Sequence, residues 1–251
     1  MTAEATTARP GQAAVPAGSV VYAVGDIHGR CDLLRALHAQ IVEHARDRKA
    51  MRRVVVYLGD YIDRGADSMG VIGLLIDAPL AGFEHVHLIG NHERLMLDFL
   101  RDASVGPTWI LNGGDRTLAS YGVVAAGQAL WLPSAALKPL QSELRDRLPA
   151  RHRAFLERLR FSHREGGYCF VHAGVRPGVA LDAQDEEDLL WIREPFLSSP
   201  ADFGAVIVHG HTIVAAPENL VNRVGIDTGA WYSNRLTALV LEGTKRRWLQ
   251  T

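Results

Sequence analysis

The chain has 251 residues, a formal net charge of -1, 47% hydrophobic and 22% charged residues, and two cysteines. That length fits one large domain or a domain with an insertion, and the near-neutral charge excludes a global field steering the chain to nucleic acid or acidic lipid. No apolar run nears the roughly 20 residues of a membrane span, and Cys31 and Cys169 lack a CxxC spacing; the simple reading is a reduced, cytoplasmic protein.

Residues 1–19 are rich in Ala, Thr, Pro and Gly and lack the apolar core of a secretion signal, so a disordered tail is expected ahead of a single domain over 20–251. Val20 to Val24 is a strand ending at Gly25. Leu33, Leu34, Leu37, Ile41 and Val42 recur at helical spacing within 30–48. Val54 to Leu58 is a second strand, Ser68 to Ile76 a helix, His85 to Ile89 a third strand, and His92 to Arg101 another helix. This β-α-β-α-β-α order predicts an α/β sheet with chemistry at the carboxyl ends of its strands.

Residues 103–165 break the rhythm and read as a helical insertion, with amphipathic helices over Leu137–Leu148 and Arg151–Leu159. Seven arginines fall between Arg145 and Arg164, which suits either a solvated helix face or a docking surface for a phosphorylated or acidic partner. Four strands follow, over Tyr168–Val171, Ala205–Val208, Arg223–Ile226 and Leu236–Leu241. The expected fold class is α/β, with two sheets packed face to face as a sandwich and helices outside.

Five strand ends share one chemical character. They carry Gly25-Asp26-Ile27-His28-Gly29, Gly59-Asp60-Tyr61-Ile62-Asp63-Arg64-Gly65, Gly90-Asn91-His92-Glu93, His172-Ala173-Gly174 and Gly210-His211-Thr212. Asp26 and His28 are two residues apart, on one face of extended backbone. Carboxylates such as Asp60 suit divalent cations and can bridge two of them, while the Asn91 amide and the His172 and His211 imidazoles shift preference towards Mn, Fe or Zn.

These blocks resemble the GDxHG, GDxxDRG, GNHE and His-containing motifs of the PPP-type, calcineurin-like metallophosphoesterases, bacterial serine/threonine phosphoprotein phosphatases among them, over about residues 20–240. The resemblance implies the αββα fold of that family and two divalent metal ions, manganese foremost, with iron or zinc as alternatives. Asp26 and His28 would bind one ion, Asp60 both, and Asn91, His172 and His211 the other, with His209 a weaker candidate than His211. Arg64, and Arg193 in a WxRE-like stretch, would bind phosphate. His92 would be the general acid, oriented by Asp63, and a hydroxide activated by both metals would attack in line. The substrate implied is a phosphorylated protein or another phosphomonoester. The alternative is a symmetrical dinucleoside polyphosphate hydrolase, whose GDxxARG-like and GNHD-like blocks differ from this chain at Asp63 and Glu93. Trp109-Ile110-Leu111-Asn112-Gly113-Gly114 resembles a WxxNGG stretch of bacterial members, where Asn112 either lines the cleft or merely turns a loop.

Overall fold

The computed structural model describes residues 13–48, 51–124 and 137–251. Its strands are β1 (Ser19–Val24), β2 (Arg52–Tyr57), β3 (Glu84–His87), β4 (Ser162–Glu165), β5 (Tyr168–Val171), β6 (Val206–His209), β7 (Glu218–Asn219), β8 (Arg223–Gly225), β9 (Thr237–Glu242) and β10 (Lys245–Gln250). They form two five-stranded sheets, ordered β10-β9-β1-β2-β3 and β4-β5-β6-β8-β7. Each sheet has three parallel strands, β1-β2-β3 and β5-β6-β8, with antiparallel strands at its margins.

Strand alternation explains the layering. Val21 and Ala23 of β1 pack with Val54 and Val56 of β2 against Phe170, Val208 and Val224 of the second sheet. Val20, Tyr22 and Val24 face the other way, onto the helices, with Val55 and Tyr57. Both faces of β1 are buried, which is why it reads as an unbroken apolar run. Each such side chain contributes about 1.5–3 kcal/mol by leaving water.

The first sheet is covered by α1 (Cys31–Ala45), α2 (Ser68–Asp77) and α3 (Asn91–Arg101). The helical region follows as α4 (Gly106–Trp109), a π-helical turn (Ile110–Gly114), α5 (Asp115–Ser120), α6 (Lys138–Arg147) and α7 (Ala150–Leu156). Helices α8 (Glu186–Trp191) and α9 (Ala230–Ser233) complete the described residues. Asp185 caps α8 through the Glu187 N–H, as an acidic helix start requires.

Three expectations need adjustment. Of the tail expected over 1–19, residues 1–12 lie outside the described residues. Residues 13–18 pack on the domain: Ala13 and Val15 are buried, the Gly167 N–H donates to Ala14 O, and the Val15 N–H donates to Gly243 O. The helical insertion stops before 165, because Ser162–Glu165 pairs antiparallel with β5; residues 125–136 of it lie outside the described residues. Strands β4, β7 and β10 were not anticipated, being marginal and rich in charged or polar side chains that leave no apolar run to detect.

Candidate active site

All six parallel strands deliver a polar side chain to one place. Asp26 follows β1, Asp60 follows β2, Asn91 follows β3, His172 follows β5, His211 follows β6 and Asp227 follows β8. All six are buried. Left-handed backbone marks the same region: His28, Asp60, Asp63, Arg64 and His211 have φ between 46 and 70°. Such backbone is costly for residues with a Cβ and persists where surrounding contacts impose it. Gly90 and Gly210 allow close approaches, since a Cβ at either would collide with a carboxylate oxygen of Asp60 or Asp26 respectively.

Asp60 is shared by two groups of donor atoms. Its carboxylate lies within 4.8 Å of His28 and His92 on one side, and of His172 and His211 on the other. Asp60 Oδ2 is 3.5 Å from His28 Nε2, and Oδ1 is 3.4 Å from His172 Nε2. Asn91 Oδ1 is 2.9 Å from His172 Nε2 and 3.0 Å from His211 Nδ1.

The tautomers decide what these distances mean. His28 Nδ1 is 2.8 Å from Ile62 O, and His172 Nδ1 is 2.9 Å from Leu58 O. Each ring must donate there, which leaves an Nε2 lone pair facing the Asp60 carboxylate. Burial holds both imidazoles well below their ordinary range, His172 at about 3, so neither gains a second proton near neutrality. At His28 the Arg64 guanidinium, 3.1 Å away, meets that lone pair, whereas at His172 it faces only the Asn91 and Asp60 oxygens and is repulsive unless a cation sits among them. Two donors about 2.1 Å from one cation, at 90–109° to each other, stand about 3.0–3.4 Å apart. The observed separations, 2.9 to 3.5 Å, lie close to that spacing. Asp26 Oδ1 and His211 Nε2 are buried without a partner, which also fits a cation-binding cluster.

Beside this cluster, His92 Nδ1 is 2.7 Å from Asp63 Oδ2. Asp63 also accepts from the Trp109 indole N–H at 3.0 Å and the Thr117 hydroxyl at 2.5 Å. Burial pushes Asp63 up to about 8 and, with Arg64, pulls His92 down to about 3. The neutral pair and the ion pair contain the same protons; they differ only in which partner holds the one between them. The Trp109 and Thr117 donors favour the Asp63 carboxylate. In either form His92 Nε2 carries a proton, 3.8 Å from Asp60 Oδ2.

Glu93 has a different task. Its carboxylate accepts N–H groups of Gly90 and Asp60 at 2.9 Å, Tyr61 at 2.8 Å and Ile62 at 3.3 Å. It fastens the loop that carries Asp60 to the start of α3, so its place is beneath the site.

Arg64 is half-buried, with Nη1 3.1 Å from His28 Nε2 and its guanidinium 5.7 Å from the Trp231 ring. Arg193 is exposed beyond Trp191, whose ring meets His211 edge-on at 6.0 Å. It lies near enough to help hold the His172 and His211 imidazoles low, after burial and the neighbouring histidines. Asn112 shares a hollow with Arg64 and Trp231, and its amide donates to Thr108 O. His209 is turned away, packed on Phe196, with Nδ1 3.1 Å from Gly210 O. His38, His44 and His152 bond to Tyr57, Tyr22 and Tyr121 hydroxyls, as packed histidines do.

Three residues escaped the sequence reading. Asp227 follows β8 beside Asp26; burial is the main cause that pushes both carboxyls up, and Asp227 raises Asp26 further. Its setting, Gly225-Ile226-Asp227-Thr228-Gly229, repeats the strand-end signature of the other blocks. Trp109 lay in a stretch singled out for its Asn, and Thr117 carried no signal of its own.

Buried donors suited to divalent cations, next to a guanidinium suited to phosphate, define a metal-dependent phosphoesterase. The profile of the calcineurin-like phosphoesterases matches residues 19–231, and the chain belongs to that family. It is 30% identical over 226 residues to serine/threonine-protein phosphatase 1 of Salmonella typhimurium, covering 86% of this chain and 89% of the relative. It is 23% identical to an asymmetrical bis(5'-nucleosyl)-tetraphosphatase of Oceanobacillus iheyensis, covering 86% of each. A cold-active protein-tyrosine phosphatase of a Shewanella species shares the fold, with a TM-score of 0.61 at 16% identity over 100% of this chain and 84% of the other.

Proposed function

We propose that this phosphoesterase is a protein serine/threonine phosphatase that uses two divalent ions, manganese foremost. Asp26, His28 and Asp60 would hold one ion, and Asp60, Asn91, His172 and His211 the other. Bound there, the ions would withdraw charge from a phosphoryl group and make water more acidic.

The chain's own groups do the rest. The Arg64 guanidinium holds two phosphate oxygens at once, and Arg193 closes the exposed side as the phosphate enters. His92 Nε2 presents its proton to the oxygen that leaves. Asp63 fixes the ring through Nδ1, while Trp109 and Thr117 fix Asp63. The burial of this dyad excludes bulk water from the proton's path.

The observation that carries the reading is the 2.7 Å His92–Asp63 pair, from which we infer a proton on the outer His92 nitrogen. Serine and threonine leave as poorly stabilised alkoxides and need that proton as the bond breaks. A nucleotide leaving from a phosphoanhydride stabilises its own charge and needs it far less. Supporting the second reading, dinucleoside polyphosphate hydrolysis, are the relative named an asymmetrical bis(5'-nucleosyl)-tetraphosphatase and the exposed Trp231 and Tyr232 beside Arg64.

The deciding experiment measures kcat/KM on a phosphoserine peptide and on diadenosine tetraphosphate with manganese present. The peptide should be preferred by at least tenfold. A dominant rate on the dinucleotide overturns the protein-phosphatase reading and leaves the cluster's role intact.

A further inference from the structure

The arginine-rich stretch divides. Arg145 caps Leu100 O, Arg147 pairs with Glu143, and Arg153 pairs with Glu157. Arg158 and Arg160 make no ion pair among the described residues. They line a cavity of about 470 Å³ together with Arg151, which also pairs with Asp77. The cavity lies between β3 and α7 and shares no lining residue with the metal cluster. Its volume is in the range of small-molecule sites.

The floor is as specific as the rim. His85 and His87 line it from edge strand β3, and in each ring one nitrogen is buried without a hydrogen-bond partner. His85 Nε2 donates to Leu80 O at 3.0 Å, so the unpartnered Nδ1 is an acceptor. Tyr57 stacks on His87 at 5.0 Å and 3°, and Phe155 meets it edge-on at 5.0 Å. Leu75, Leu159 and Phe155 add an apolar wall. Guanidinium groups on one side and flat imidazole and apolar surface beside them suit a ligand with a phosphate at one end and a planar ring at the other.

We propose that this cavity binds a nucleoside monophosphate, with Arg158 and Arg160 on the phosphate and the base lying against the His85, His87 and Phe155 rings. The site stands independently of the substrate assigned to the metal cluster. It is linked to that cluster through Tyr61, whose ring lies 5.8 Å from Phe155 and 6.4 Å from His87, and whose backbone N–H is held by Glu93.

The test is calorimetric titration of the manganese-loaded full chain with the non-hydrolysable phosphonate analogue of AMP. Wild type should bind two equivalents, one at each site. Arg158→Ala/Arg160→Ala should lose one, with p-nitrophenyl phosphate turnover within twofold of wild type, while Arg64→Ala should weaken the other. Arg158→Lys/Arg160→Lys, which keeps the charge, should retain the second equivalent at about tenfold lower affinity, because lysine lacks the planar fork. Unchanged stoichiometry in the double alanine variant overturns the proposal. So does displacement from this site by inorganic phosphate as effectively as by the analogue, which would leave no role for a ring. Displacement by an acidic peptide alone would make the cavity a docking groove and equally overturn it.

Discussion

Replacing Glu93 by Gln separates scaffold from chemistry. The buried Glu93 carboxylate accepts four backbone N–H groups, two on each oxygen: Gly90 and Asp60 on Oε2, Tyr61 and Ile62 on Oε1. Glutamine turns one of those oxygens into an NH2 group facing two donors. At least two charge-assisted hydrogen bonds are lost, at about 1.5–3 kcal/mol each. The expected destabilisation is therefore about 3–6 kcal/mol, a large part of the roughly 5–15 kcal/mol that holds a domain together. Burial pushes the Glu93 carboxyl up to about 7, so urea unfolding is followed at pH 8, where the carboxylate form dominates. The midpoint should fall by about 1–3 M. Turnover should fall too, because the loop carrying Asp60 and Asp63 loses its fastening. A midpoint equal to that of wild type would refute the role assigned to these four hydrogen bonds.

His92→Asn should lower turnover on a phosphoserine peptide by about 10²–10⁴-fold and cost much less on p-nitrophenyl phosphate, whose leaving group needs no proton; equal losses on both would contradict the general-acid role. Stability should also fall in mild acid. The His38 imidazole, bonded to Tyr57 and held down to about 4 by burial, stays neutral in the folded chain while the unfolded chain protonates it below about 6.5. The unfolded state thus binds more protons between those values, and roughly 3 kcal/mol should be lost as pH falls through about 4. His38→Gln should shrink the difference between urea midpoints at pH 7.5 and pH 5; an undiminished difference would assign the acid sensitivity elsewhere.

The two faces of β1 and of Val54 to Tyr57 in β2 are buried, so these stretches are apolar runs and the parallel core of the first sheet was readable. β10, Lys245 to Gln250, pairs on one side only and spends its residues on charge, which erased the signal. The metal-cluster blocks were legible because each packs its donor and its glycine into a few adjacent positions. Asp227 obeys the same rule, yet a single Asp-Thr-Gly with no His or Asn beside it does not stand out. The support of Asp63 was illegible for another reason. Trp109 and Thr117 are 46 and 54 residues away and meet it only through the fold. The substrate distinction drawn from Glu93 takes on a structural meaning: all four hydrogen bonds of that side chain go to backbone N–H groups of the loops carrying Asp60 and Asn91.

The sharing of Asp60 between two donor groups is the centre of the account. Manganese stoichiometry and affinity, measured by equilibrium dialysis with elemental analysis on wild type and Asp60→Asn, test it directly. Wild type should bind two ions per chain, and Asp60→Asn should weaken both by at least tenfold. An Asp60→Asn chain that keeps either ion at wild-type affinity would contradict the shared ligand.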